Sequence, residues 1–312
     1  MRNSNFAFRR FFIIFANVFV FIGAFFVLTM ITFYTIAALR NEITELTAYD
    51  NDFRTVITDI INKGYFPVMA LIIYIGAMQL IYSALIIKWA ISLNDEQFIK
   101  HRWLILVYSF FNMTFFTGFM LLSLDQKRIE TGIKAKRKMA LHESSVFALS
   151  GAMLIIFTAV LLLTKNLNSE IVNIKQPFII TLSIAGVFLL FGVMGLLSIS
   201  KLKNVNLPDS NSLQNVPVKS FNDQFAKLMI GFSIIFILVK MLIVLVINTI
   251  GYLSQMFSRE NRGFFSNIGA TINLIFMYTI VYQVFQALLQ KDDQPLVIDL
   301  SNIDTKRQHQ RF

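Results

Sequence analysis

The sequence predicts an all-α polytopic transmembrane helical bundle with seven spans. Two observations carry that expectation. Seven long apolar runs dominate the chain, at roughly 11–39, 65–93, 103–124, 145–164, 178–200, 228–250 and 264–289, and six of them lack Lys, Arg, Asp and Glu in their central stretch. Each is near or above the ~20 residues that a helix needs to cross ~30 Å of hydrocarbon, and soluble core helices rarely stay apolar all round for so long. The composition agrees: 56% hydrophobic, 15% charged, mean hydropathy +0.63. Ordinary soluble domains are ~25% charged.

The elements follow in order. The first run begins after Arg2, Arg9 and Arg10. It far exceeds a ~7–15 residue signal core and has no clear small-residue cleavage site before Arg40, so it reads as a retained span. Segment 40–64 places Ile43, Leu46, Tyr49, Phe53, Val56, Ile57 and Ile60 at helical spacing, with acids mostly on other faces. That is an amphipathic helix, packed on the bundle or lying on the membrane surface. Tyr65 opens the second run, and Trp89 and Trp103 bracket the next short loop, as suits aromatics at the headgroup level. Lys88 near that end can snorkel.

The third run, 103–124, is charge-free and long enough to cross. The runner-up is six spans, with this run re-entrant or interfacial, which needs protein or a wet cavity around it. Segment 125–144 reads as a helical extension bearing Lys134, Lys136, Arg137 and Lys138, expected to contact anionic lipid headgroups. In the fourth and fifth runs, Ala148, Ala152, Gly192 and Gly195 read as sites of close helix packing. Segment 201–227 contains Pro208 and Pro217 and reads as a flexible cytoplasmic linker. It divides a first bundle portion, 1–200, from a C-terminal hairpin, 228–290, which a solvated cytoplasmic tail, 291–312, follows. LNDEQFIK at 93–100 and FNDQFAK at 221–227 are alike. The match is too short to argue for an inverted repeat.

Orientation follows from Lys and Arg near the span ends. Seven crossings with the C-terminus inside put seventeen of them inside and nine outside, with Arg9 and Arg10 abutting the first span on the outer side. Six crossings put both termini inside and change the counts to nineteen and seven. The net charge of +10 is then a lipid-facing charge rather than a nucleic-acid footprint. Abundant Phe, Ile, Asn and Lys with few Pro and Trp suggest an AT-rich bacterial genome, and so a bacterial plasma membrane.

No cofactor, metal or catalytic motif is found, so an enzyme is not expected. Cysteine is absent, which excludes thiolate chemistry. His101, His142 and His309 read as lying in separate loops without metal spacing, and there is no Walker-type loop. Intramembrane proteolysis lacks its paired Asp or its Ser and His.

Lys240 is the pointed exception. It lies twelve residues beyond Leu228, roughly 18 Å along a helix. A charge there costs roughly 2.5–3.5 kcal/mol on insertion scales, so it should face protein or water. No run contains Asp or Glu, so the expected partners are neutral. Asn267, Thr271, Tyr278, Tyr282 and Gln286 form one polar stripe on the last span, and Lys240 is expected to meet it near Tyr278 and Tyr282. A retinal Schiff base is disfavoured, because the lysine is not in the last run and a carboxylate counter-ion is lacking. Two function classes follow: a small-solute permease or membrane subunit of a transporter, and a non-enzymatic scaffold or assembly subunit.

Overall fold

The computed structural model describes residues 4–39, 66–112, 121, 133–165, 175–201, 221–257 and 264–289. The expected amphipathic helix at 40–64, most of the 201–227 linker and the tail lie outside them. Every described element is a helix: α1 (Ser4–Leu39), α2 (Phe66–Ser92), α3 (Asp95–Lys100), α4 (Arg102–Phe111), α5 (Ile133–Lys165), α6 (Lys175–Lys201), α7 (Phe221–Phe257) and α8 (Phe264–Leu289). Five stretches are long and apolar enough to cross a membrane: Ala7–Phe33, Pro67–Ser92, Lys136–Val160, Phe178–Lys201 and Gln224–Ser254. Their outer faces carry exposed Phe11, Phe19, Ile156, Ile179 and Ile235. In water such faces would be untenable, whereas in hydrocarbon they are solvated.

Side-chain contacts sort the helix ends onto two faces of the bundle. On one, Arg10 near the start of α1 donates to the carbonyls of Ala90 and Leu93, each at 2.7 Å, and pairs with Asp95 at 2.7 Å. On the same face Ala140 of α5, Ile199 of α6 and Ala226 of α7 share one apolar cluster, and Arg137 donates to the carbonyls of Ile199 and Ser200. At the other face, Ile31 of α1, Met69 of α2, Phe157 of α5 and Ala185 of α6 cluster. Thus α1 and α2 are antiparallel, and α5 and α7 run parallel with α6 between them.

The described part of the expected third span includes α4, which is ten residues long. That is about 15 Å, half a hydrocarbon core. All of its side chains are buried. It begins at the face of Arg10 and Lys138, where His101 accepts from Lys138 through Nε2 and donates from Nδ1 to the Gln97 carbonyl. At its end Asn112 donates to Asn17 of α1 at 3.2 Å and to Ser83 of α2 at 2.9 Å. Leu121, further on, is again buried in the same core as Trp103 and Tyr108. The face where α5 starts is thus the face where α4 starts.

The small residues pack as expected between α5 and α6. A Cβ at Gly192 would overlap the backbone of Ala148, and one at Gly195 would overlap the Ser144 hydroxyl. Gly151, rather than Ala152, makes the third contact, with the Leu189 nitrogen 2.5 Å from where its Cβ would lie. The spacing 144, 148, 151 is one helical face.

Candidate functional site

The centre of the bundle is built where α2, α5 and α7 meet. On α2, Tyr74, Met78 and Tyr82 recur every fourth residue, which aligns them on one face. From α5 comes Glu143, 1% exposed, and from α7 Lys240, 13% exposed, with Nζ 2.7 Å from Oε1. Helical side chains lean toward their own N-terminus. The lysine stem therefore reaches back along α7 to the level of Glu143 in the parallel α5.

Each charge is further satisfied. Tyr74 donates to Oε2 of Glu143 at 3.3 Å and accepts from Lys240 at 3.1 Å. Tyr82 donates to Oε1 of the same carboxylate. The ammonium also lies 4.8 Å from the ring centres of Phe111 and Phe236, and 3.9 Å from Met78 Sδ. Ring faces attract a desolvated cation by ~2 kcal/mol. A buried ion pair holds only when its remaining hydrogen-bonding capacity is met this way.

This corrects the expectation that Lys240 has no acidic partner. His142 and Glu143 read in sequence as a polar span end because the apolar run starts after them, yet α5 begins ten residues before Glu143 and carries both inside the membrane-length stretch. The signal available in sequence was the need itself: a mid-span lysine calls for an acid, and Glu143 stands two residues before the fourth run. Tyr74 and Tyr82 were legible as a stripe and were missed.

The last-span stripe lies elsewhere. Thr271 meets the Tyr252 hydroxyl at 2.8 Å and Tyr278 meets Thr249 at 3.2 Å. Tyr282 is 63% exposed, and the side chains of Asn267 and Gln286 lie outside those described. The reason is angular: Thr249 is nine residues past Lys240, two and a half turns, and so projects from the opposite side of α7. The structure thus brings Thr271 and Tyr278 to α7 but not to Lys240.

Two grooves flank α7. One of about 710 Å³ opens between α2, α6 and α7, with Leu71, Ile75, Phe188, Phe191 and Phe232 along its walls and Tyr74, Phe147, Phe236 and Lys240 deeper in. A second, about 330 Å³, lies between α7 and α8 beside Asn248, Tyr252 and Asn273. Toward the face bearing Lys138, the His142 Nδ1 meets the Tyr108 hydroxyl, and Trp89 packs between His142 and His101. Among the described residues no group of three or more His, Asp or Glu comes together, so the Lys240–Glu143 pair is the polar centre to explain. No family model, curated protein or solved structure matches this chain.

Proposed function

We propose that the chain is a multi-pass protein of a bacterial plasma membrane that acts as a small-solute permease or as the membrane subunit of a transporter. The observation that carries this reading is a Lys–Glu pair, halfway along α7, at the deep end of a groove that reaches it from outside the bundle. Intramembrane charges are costly and recur along substrate and ion pathways. The apolar walls suit a solute with an apolar body rather than a fully hydrated one. That α4 and α5 start on the same face supports six crossings with both termini in the cytoplasm, the arrangement with the larger excess of basic residues inside. Of the four basic residues assigned to lipid headgroups, Arg137 and Lys138 are engaged within the bundle. Contact with anionic headgroups by the cluster Lys134, Lys136, Arg137 and Lys138 is part of this proposal.

The test is uptake of a panel of radiolabelled small organic solutes by cells carrying wild type, Lys240→Met or Glu143→Gln at matched membrane levels. The permease reading expects at least one solute whose uptake falls more than about tenfold in both variants. Equal uptake of every solute by all three would refute it. A second reading, a scaffold or assembly subunit, is favoured by the closure of the pair: Glu143 is 1% exposed, and the groove that reaches Lys240 is apolar. It expects no uptake and a stable complex with another membrane protein, recovered by cross-linking.

A further inference from the structure

We propose that Glu143 and an organic monoanion compete for Lys240, so that the site takes up one anion together with one proton. The inference rests on the permease reading and names its solute class and coupling ion.

Charge balance drives it. The resting pair is neutral, and a net charge at this depth is disfavoured. The groove presents Lys240 and Tyr74 on its lining, while Glu143 stands behind them. A solute anion that reaches Lys240 along the groove must therefore take the ammonium from the other side. Among the described residues, Glu143 would be left ionised with the Tyr74 and Tyr82 hydroxyls to hold it. Binding one proton to a Glu143 oxygen removes that charge. The ammonium keeps all three of its protons, and the solute carboxylate or sulfonate replaces Glu143 as its counter-ion. The site is neutral before and after.

Three further features fit. The rings of Phe111 and Phe236, 4.8 Å from Nζ, hold the cation while its partners exchange. The groove's volume of about 710 Å³ falls in the range of small-molecule sites, and its walls select an apolar body. Exchangeable protons also lie close to Glu143, on Tyr82 directly and on Tyr108 and His142 beyond it. His142 meets the Tyr108 hydroxyl, the Tyr108 ring stacks on Tyr82 at 4.2 Å between centres, and Tyr82 binds Glu143. Among the described residues, the titratable groups around Glu143 are Tyr74 and Tyr82 from α2, Tyr108 from α4, His142 from α5 itself and Lys240 from α7. Lys88 and Lys138 act on His142 from the basic face. The lysines of α6, Lys175 and Lys201, lie at its ends.

The experiment uses the full chain in lipid nanodiscs, with octanoate, benzoate and octanesulfonate as probes and octanol as the neutral control. Calorimetry reads binding, and a dye in weak buffer reads proton uptake. The expected result is one proton taken up per anion bound, with affinity falling about tenfold per pH unit where Glu143 is ionised. Glu143→Gln, which resembles the protonated acid, should bind at least tenfold tighter at alkaline pH and take up no proton. Lys240→Met should lose anion binding. The inference is overturned if none of the three anions binds, if binding takes up no proton, or if Glu143→Gln keeps the proton uptake. Should Glu143→Gln fail to fold, the proton count of the wild type decides alone. Proton-linked binding without accumulation of any probe in proteoliposomes under a proton gradient would instead leave this inference standing and remove the permease reading.

Discussion

Helix α5 makes two unlike contacts with its neighbours. Toward α6 it presents Ser144, Ala148 and Gly151, and the backbones approach until no side chain fits between them. Toward α2 and α7 it presents Glu143, and the helices stand apart around an ion pair, two tyrosines and an open groove. One side is held by dispersion between small residues. The other is held by charge, with hydroxyls and ring faces meeting the cost of dehydration. The difference teaches that a single helix can serve as fixed support on one face and exchangeable site on the other. Residues 143 and 144 are adjacent in sequence and belong to different regimes.

Mutations can break this contrast. Lys240→Met leaves Glu143 buried without its counter-ion, and should cost about 3–5 kcal/mol in reversible unfolding from detergent micelles. The double variant Lys240→Met/Glu143→Leu should recover most of that loss. If the single variant is neutral, the pair is not what holds α7 to α5. Gly192→Val drives a branched side chain into the Ala148 backbone and should cost about 3 kcal/mol by the same measurement, at the upper end of overpacking effects. It should separate α5 from α6 without abolishing the ion pair. Tyr82→Phe removes one donor from a buried carboxylate and should cost about 2 kcal/mol. Smallest of all, Tyr252→Phe removes the hydroxyl contact with Thr271. Interhelical hydrogen bonds in membranes average about 0.6 kcal/mol, so a loss above about 2 kcal/mol there would show that the α7–α8 side is also a structural pin.

Much of the fold was legible because lipid imposes one rule on every crossing segment. Runs 11–39, 65–93, 178–200 and 228–250 reappear as α1, α2, α6 and α7, since apolar length alone decides them. Gly192 and Gly195 were legible because few other residues permit backbones so close. Glu143 was hidden by the averaging that makes apolar runs visible, since a charge at a run's edge looks like the edge itself. The partner of Lys240 depended on which face of α7 met which helix. That is decided by packing among α2, α5 and α7 and leaves no local mark. Run 103–124 left six and seven crossings both open for a related reason. Its apolar residues satisfy burial in protein as well as burial in lipid, and hydropathy does not separate the two.

Helix α4 has a consequence for how the molecule is made. All ten of its side chains are enclosed, many by residues of α7 and α8 such as Met241, Leu245, Met277 and Val284. Those residues are synthesised more than a hundred positions later. The segment cannot reach its final surroundings when it first emerges at the membrane, and must be lodged provisionally until the last helices arrive. Closing the bundle around it is therefore a late event in biogenesis.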